Sequence, residues 1–119
     1  MRKILIIDDE QTLRNSIKTF LDASGYQAQS AANSTEGLRI LKDFNPEMLL
    51  LDLHLTEGLT GIDMLKEIKK VKPDVKVVVL TGFGDDDDVE GECYKAGACL
   101  FLCKPLTLFQ IKEALDKIG

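Results

Sequence analysis

Acidic, hydroxyl and basic side chains follow four short apolar runs of this sequence, at the point where each run ends. They are Asp8, Asp9, Asp52, Thr81 and Lys104. Carboxylates brought close together favour a hard divalent cation, and Mg²⁺ prefers oxygen ligands and keeps several of its waters. A carboxylate can also be a nucleophile toward phosphorus. Lysine and Mg²⁺ then supply positive charge to the phosphoryl oxygens, and threonine can donate a hydrogen bond. These residue types indicate magnesium-dependent phosphoryl transfer if the fold brings them together.

The apolar runs alternate with segments of helical periodicity, so the order of elements is strand then helix, repeated five times. Strands that are apolar on both faces and joined by helices predict a parallel sheet with helices on each side, an α/β fold. Ligands bind such sheets at the carboxyl ends of the strands, where the five polar residues lie. The predicted strands are Ile4–Ile7, Tyr26–Ser30, Met48–Leu51, Val75–Leu80 and Cys99–Cys103.

Local signals refine this outline. Gly25 stands at the expected C-cap of the first helix, and Asn33 or Ser34 can cap the second. The alternation of Tyr26–Ser30 with glutamines predicts a strand near a sheet edge. The fourth helix is predicted to be short or mobile, because DDDDVEGEC contains few helix formers and an internal Gly91.

Bulk properties exclude several classes of protein. The 119 residues suit one domain, 1–119. A formal charge of −5 disfavours direct contact with nucleic acid. No apolar run is long enough to span a bilayer, and acids follow the first apolar run where a signal-peptide cleavage site would lie. The cysteines, Cys93, Cys99 and Cys103, are expected to be reduced core thiols of a cytoplasmic protein.

Four motifs together resemble the receiver domain of bacterial two-component response regulators. They are ILIIDDE at 4–10, LLLDLHL at 49–55, VVVLTGFGD at 77–85 and AGACLFLCKPL at 96–106. The resemblance covers essentially the whole chain. The amino-acid sequences of the last two motifs are most similar to those of receivers of nitrogen-regulation-type transcription activators. The resemblance implies a flavodoxin-like (βα)5 three-layer sandwich with strand order 2-1-3-4-5.

The resemblance also implies a role for individual residues. Asp52 would be the phosphoacceptor, assisted by Lys104 and Thr81. Mg²⁺ would be held by Asp9, Asp52 and the backbone carbonyl of His54, with Asp8 acting through water. The switch pair would be Thr81 and Phe101, and the Lys104–Pro105 bond would be compatible with cis. The side chains of His54 and Phe83 would tune the lifetime of the phosphate.

As a receiver, the chain would accept its phosphoryl group from a sensor histidine kinase or a phosphotransfer protein, and would catalyse only its own phosphorylation and dephosphorylation. The face formed by the fourth helix, fifth strand and fifth helix would then change its affinity for partners, including a second copy of the chain. The sequence is compatible both with a stand-alone relay protein and with a receiver that precedes a C-terminal effector domain.

The segment after Asp52 departs from the family pattern. The family usually has proline four residues after the phosphoacceptor, where this chain has Thr56, and glycine eight residues after it, where this chain has Thr60 followed by Gly61. We therefore expect this loop to contain one additional residue.

Other functions remain open at this stage. A flavodoxin would need a loop rich in Ser, Thr and Gly after the first strand, where this chain is acidic. A magnesium-dependent phosphatase with an aspartate nucleophile would place its two acids two residues apart there. A receiver-like module that only binds proteins would not need the complete set of five polar residues.

Overall fold

The computed structural model describes residues 2–59, 61–82 and 87–119, with the backbone only at Asp87. Strands and helices alternate along the chain. They are β1 (Arg2–Ile7), α1 (Gln11–Ala23), β2 (Tyr26–Ala31), α2 (Ser34–Phe44), β3 (Met48–Asp52), α3 (Gly61–Val71), β4 (Lys76–Thr81), α4 (Asp87–Lys95), β5 (Leu100–Cys103) and α5 (Leu108–Ile118). Every strand pairing is parallel, and the sheet order is β2-β1-β3-β4-β5. The predicted fold class is therefore confirmed.

Two apolar layers cover the sheet because alternate residues of its inner strands point to opposite faces. Leu5, Leu49 and Val77 face a core completed by α2, α3 and α4. Ile4 and Leu50 face a second core completed by α1 and α5. With both faces covered, β1, β3 and β4 are rigid supports, and the polar residues that follow them are fixed at one edge of the sheet.

The capping residues fix where the helices begin and end. Asn33, not Ser34, is the N-cap of α2, and its side chain accepts a hydrogen bond from the Glu36 amide at 2.9 Å. Gly25 follows α1 with a φ of 96°, a left-handed conformation that suits glycine. Strand β2 lies at the sheet edge, as its alternation predicted. None of the helices in the described ranges is both long and apolar enough to cross a membrane.

The prediction that all three cysteines are core thiols is wrong for two of them. Cys93 is buried, whereas Cys99 and Cys103 are exposed. The reason is the position of β5, which forms an edge of the sheet and whose residues are only partly covered. Cys99 precedes this strand and Cys103 ends it. No disulfide joins any of the three within the described residues.

Helix α4 is nine residues long, the shortest of the five helices in the described ranges, which agrees with the prediction of a short element. Cys93 is the buried residue through which it joins the core. Its mobility stays a prediction.

Strand β2 is tied to the C-terminal helix by a polar contact. The Tyr26 hydroxyl donates a hydrogen bond to Asp116 Oδ1 at 2.5 Å, and Arg2 lies 5.3 Å from the Tyr26 ring centroid. Burial, and then the hydrogen bond and negative charge of Asp116, raise the pKa of Tyr26 from 10.0 to about 12. Because the folded pKa is the higher one, this contact stabilises the fold fully below pH 10 and loses its contribution as the pH rises to about 12.

A Tyr94→Phe variant leaves Tyr26 as the remaining tyrosine of the chain. We expect its phenolate absorbance to appear with a midpoint near 12 while circular dichroism still reports a folded protein. Asp116→Asn in that background should move the midpoint down. A midpoint near 10 in folded Tyr94→Phe protein would contradict this account of the contact.

Candidate phosphoacceptor and metal site

Three carboxylates meet at the carboxyl edge of the sheet. Asp8 and Asp9 follow β1, Asp52 ends β3, and one oxygen of each lies within 4.8 Å of one of each of the others. Two carboxylates at this separation repel each other by roughly 3 kcal/mol at an effective dielectric constant of about 20. Asp8 and Asp52 are 1% and 5% exposed, so water screens their charges poorly. Groups held together at this energetic cost mark the site as a place for positive charge.

The loop between β1 and α1 fixes the position of Asp8. Its Oδ1 accepts a hydrogen bond from the Glu10 amide at 2.8 Å, and its carbonyl oxygen accepts one from the Arg14 guanidinium at 2.8 Å. Its own amide donates to the Ala31 carbonyl of β2 at 3.1 Å. These contacts hold one side of the Asp8 carboxylate on the backbone and leave the other side directed into the cluster.

Asp8 Oδ2 is buried and has no hydrogen-bond partner among the described residues. Burial is the main cause that raises the pKa of Asp8, and the charges of Asp52 and Asp9 act in the same direction, against the Glu10 amide and Lys104. A buried oxygen without a donor is costly unless a cation or an ordered water occupies the adjacent space.

Lys104 supplies the positive side chain of the site. Its Nζ lies 3.6 Å from Asp8 Oδ2 and 3.7 Å from Asp52 Oδ2, and its side chain is 27% exposed. Three carboxylates against one ammonium leave two negative charges uncompensated, which is the charge of one divalent cation. The oxygen donors, the Asp8 oxygen that accepts no hydrogen bond among the described residues, and this charge all fit Mg²⁺.

The carboxylate of Asp52 is oriented from two sides. Its Oδ1 accepts a hydrogen bond from the His54 amide at 3.0 Å, and its Oδ2 faces Lys104. The Leu53 amide continues the β3–β4 ladder by donating to the Leu80 carbonyl at 2.9 Å. Asp52 therefore lies at the end of a buried strand, with one carboxylate oxygen bound to a backbone amide and the other next to the lysine ammonium group.

The two predicted switch residues lie on neighbouring strands at or near this edge. Thr81 ends β4 and is fully buried; its hydroxyl donates to the Gly82 carbonyl at 3.3 Å and lies 3.8 Å from Cys103 Sγ. Phe101 on β5 is partly buried and packs against the core on the α2–α4 side of the sheet. The Lys104–Pro105 peptide bond is cis, as the resemblance allows.

The structure describes one of the two residues expected to tune phosphate lifetime. The His54 side chain is exposed, and its backbone amide donates to the proposed acceptor, Asp52. Phe83 lies outside the described residues.

Two contacts near this site were not predicted from the sequence. Arg14 holds the Asp8 carbonyl, and Ser34 Oγ accepts a hydrogen bond from the Leu59 amide at 2.7 Å. Neither has a sequence signal of its own, because an arginine in a first helical turn and a serine beside an N-cap are common on solvated helix ends.

Comparison with known proteins identifies the class. The sequence model of the response regulator receiver domain matches residues 4–116. The chain is 34% identical over 119 residues to the chemotaxis protein CheY of Thermotoga maritima, covering 99% of this chain and 98% of that protein. It is 32% identical over 115 residues to sporulation initiation phosphotransferase F of Bacillus subtilis, covering 97% and 91%.

Solved structures agree with this match. The fold superposes with a TM-score of 0.89 on a response regulator receiver domain protein from Clostridium thermocellum, at 38% identity, covering 98% of this chain and 93% of that one. The chain therefore belongs to the response regulator receiver domain family. It is a signalling domain of the two-component type.

Asp8→Asn tests whether the carboxylates are held together against their repulsion. At neutral pH without divalent cations we expect the free energy of unfolding to rise by roughly 1 kcal/mol, an ordinary size for a single substitution. Magnesium should stabilise the variant less than the wild type, because one oxygen charge is gone. Urea denaturation with chelator and with excess magnesium measures both. A variant that is less stable than wild type in chelator, with an unchanged magnesium effect, would contradict this electrostatic account.

Proposed function

We propose that this domain accepts a phosphoryl group on Asp52 in a magnesium-dependent reaction and thereby controls a downstream output. The observation that carries the proposal is the cluster of Asp8, Asp9 and Asp52 with the Lys104 ammonium against two of its members. Family membership supports it, since the receiver-domain match spans residues 4–116 and so includes all five polar residues.

In the proposed transfer an Asp52 oxygen attacks the phosphorus of a phosphohistidine. The new bond joins that oxygen to phosphorus, the phosphorus–nitrogen bond breaks, and its electron pair leaves with the imidazole, which takes up a proton from solvent. A small acyl phosphate donates in the same way, with a carboxylate as the leaving group. The product is an aspartyl phosphate at position 52.

The surrounding residues lower the barrier by meeting the charge of the transferring group. The Lys104 ammonium group already faces Asp52 Oδ2 and would form an ion pair with a phosphoryl oxygen. The His54 amide holds the other carboxylate oxygen, which orients the nucleophile. Asp9, Asp52 and the His54 carbonyl would hold Mg²⁺ directly, with Asp8 acting through water, and the ion would offset the negative charge that accumulates on the phosphoryl oxygens.

The switch is proposed to begin at Thr81. Its hydroxyl would exchange its contacts with Gly82 and Cys103 for a hydrogen bond to the new phosphate. Phe101 would then turn toward the space that Thr81 vacates. The surface formed by α4, β5 and α5 would change its shape and its affinity for partners, because the two conformations bind them unequally.

The proposed partners follow from this chemistry. A sensor histidine kinase or a phosphotransfer protein in the cytoplasm would supply the phosphoryl group. The output would come through a protein bound to the α4–β5–α5 surface, a second copy of the chain on that surface, or an effector domain C-terminal to this one. We propose that such an effector regulates transcription, because the TGFGD and FLCKP segments are similar to those of receivers of transcription activators.

Incubation with magnesium and acetyl phosphate, read by intact mass, tests the acceptor. We expect wild type to gain the mass of one phosphoryl group and Asp52→Asn to gain none. Asp74→Asn is the matched control, because this exposed aspartate precedes β4 at the opposite edge of the sheet and should leave the adduct unchanged. No adduct on wild type, or an adduct that survives Asp52→Asn, would refute the proposal. Steady release of phosphate from simple esters would favour a phosphatase instead.

The side chains of His54 and Phe83 are proposed to set the lifetime of the adduct. The His54 side chain is exposed two residues beyond Asp52, and we propose that it influences the approach of water to the phosphate. We expect His54→Ala and Phe83→Ala each to change the decay rate of phosphorylated protein after removal of the donor, followed by the same mass measurement. Decay indistinguishable from wild type in both variants would remove this role.

A further inference from the structure

The loop between β3 and α3 is held at three described points. The Leu53 amide bonds to β4, the Leu55 side chain is 4% exposed in the core beneath α2 and α3, and the Leu59 amide donates to Ser34 Oγ at 2.7 Å. The first two points lie within three residues of Asp52. Among these three contacts of the described residues, the third holds the outer part of the loop, residues 56–59, through a side chain of a different element.

Ser34 is well placed to act as a fixed support. It is 2% exposed and is the first residue of α2, directly after the Asn33 cap. Helix α2 is fastened to the sheet, because Gly37 lies so close to Ile7 that a Cβ there would come within 2.7 Å of the Ile7 side chain. Because the Ser34 hydroxyl belongs to a helix packed closely on the sheet, it offers the loop a hydrogen-bond acceptor in a fixed position.

The fit between loop and support is tight. Gly58 has a φ of 74°, and a Cβ built on it would lie 2.0 Å from Ser34 Oγ. The loop can therefore approach Ser34 only with glycine at this position. The adjoining Leu59 amide donates to the same oxygen. We call Ser34, Gly58 and Leu59 the loop latch.

We propose that the loop latch positions the phosphoacceptor site, with Ser34 as the positioning residue. The loop carries the His54 amide that orients Asp52 Oδ1, and the loop latch restrains the segment that follows it, residues 56–59. This loop has Thr56 where a rigid proline would restrict the chain. Ser34, a residue of a different element, restrains the outer part of this loop. The inference rests on the proposed function, since magnesium binding and acceptor chemistry are its readouts.

Ser34→Ala removes the hydroxyl and leaves the Leu59 amide without this partner. We expect its magnesium affinity to fall by roughly tenfold, the lower end of what supporting residues of metal sites contribute. An amide-resolved nuclear magnetic resonance titration of the unphosphorylated protein measures the affinity. Phosphorylation by acetyl phosphate at limiting magnesium should slow in parallel, and hydrogen exchange at Leu59 should accelerate.

Ser24→Ala is the matched control. Its hydroxyl also bonds to backbone, at 2.8 Å from the Phe20 carbonyl, but it follows α1 at the opposite edge of the sheet. We expect it to change stability without changing magnesium affinity. Ser34→Thr retains a hydroxyl and should bind magnesium more tightly than Ser34→Ala.

A double-mutant cycle covers the case in which threonine does not fit. Gly58→Ala alone should weaken magnesium binding, because its methyl group meets Ser34 Oγ. In the Ser34→Ala background the same change should cost less, since the nearest remaining Ser34 side-chain atom lies 3.4 Å away. Such coupling is expected only between residues in contact.

The two proposals fail in different ways. If wild type neither binds magnesium nor forms an adduct, the proposed function is wrong. If wild type does both while folded Ser34→Ala matches it in affinity and rate, and the Gly58→Ala effect is the same in both backgrounds, the loop latch has no positioning role.

Discussion

The mutual repulsion of three carboxylates is the constraint on which the rest of this structure depends. Asp8, Asp9 and Asp52 would separate if they were free to do so, and a flexible scaffold would allow it. Two of them are almost fully buried, so their proximity is imposed by the fold. The fold holds the carboxylates together against this repulsion and so forms a site that favours positive charge. The Lys104 ammonium supplies part of that charge.

The sheet can impose this proximity because its inner strands are covered on both faces. Strands β1 and β3 are adjacent, and Ile7 pairs with Leu51, so Asp8 and Asp52 leave the sheet side by side. Strand β4 lies on the other side of β3 and brings Thr81 to the same edge, while β5 brings Lys104 from the sheet margin. The outer strand is less buried than the inner ones, which gives Lys104 partial access to solvent. This arrangement suits the proposed role of Lys104. Its ammonium group faces fixed carboxylates but remains partly accessible, so that it could exchange a carboxylate partner for a phosphoryl oxygen.

Much of this arrangement was predictable from residues and their spacing. The apolar runs predicted the strands, and parallel pairing then placed Asp8, Asp52, Thr81 and Lys104 at one edge. The exposure of residues at the β5 edge of the sheet was not predictable in the same way. Cys99 and Cys103 resemble core residues in an apolar run, but exposure depends on whether a further strand covers β5, and short apolar runs carry no such information. The Ser34–Leu59 contact joins residues 25 apart through one hydroxyl and one amide, and no periodicity reports a contact of that kind.

The central claim is that the phosphoryl group is carried by the carboxylate of Asp52. Borohydride tests this most directly, because it reduces an aspartyl phosphate to homoserine with loss of the phosphate and so marks the modified residue. After treatment with acetyl phosphate and magnesium, reduction and peptide mass mapping should place homoserine at position 52 and leave Asp8 and Asp9 unchanged. Homoserine at either of those positions, or a phosphoryl adduct that yields no homoserine at all, would contradict the account.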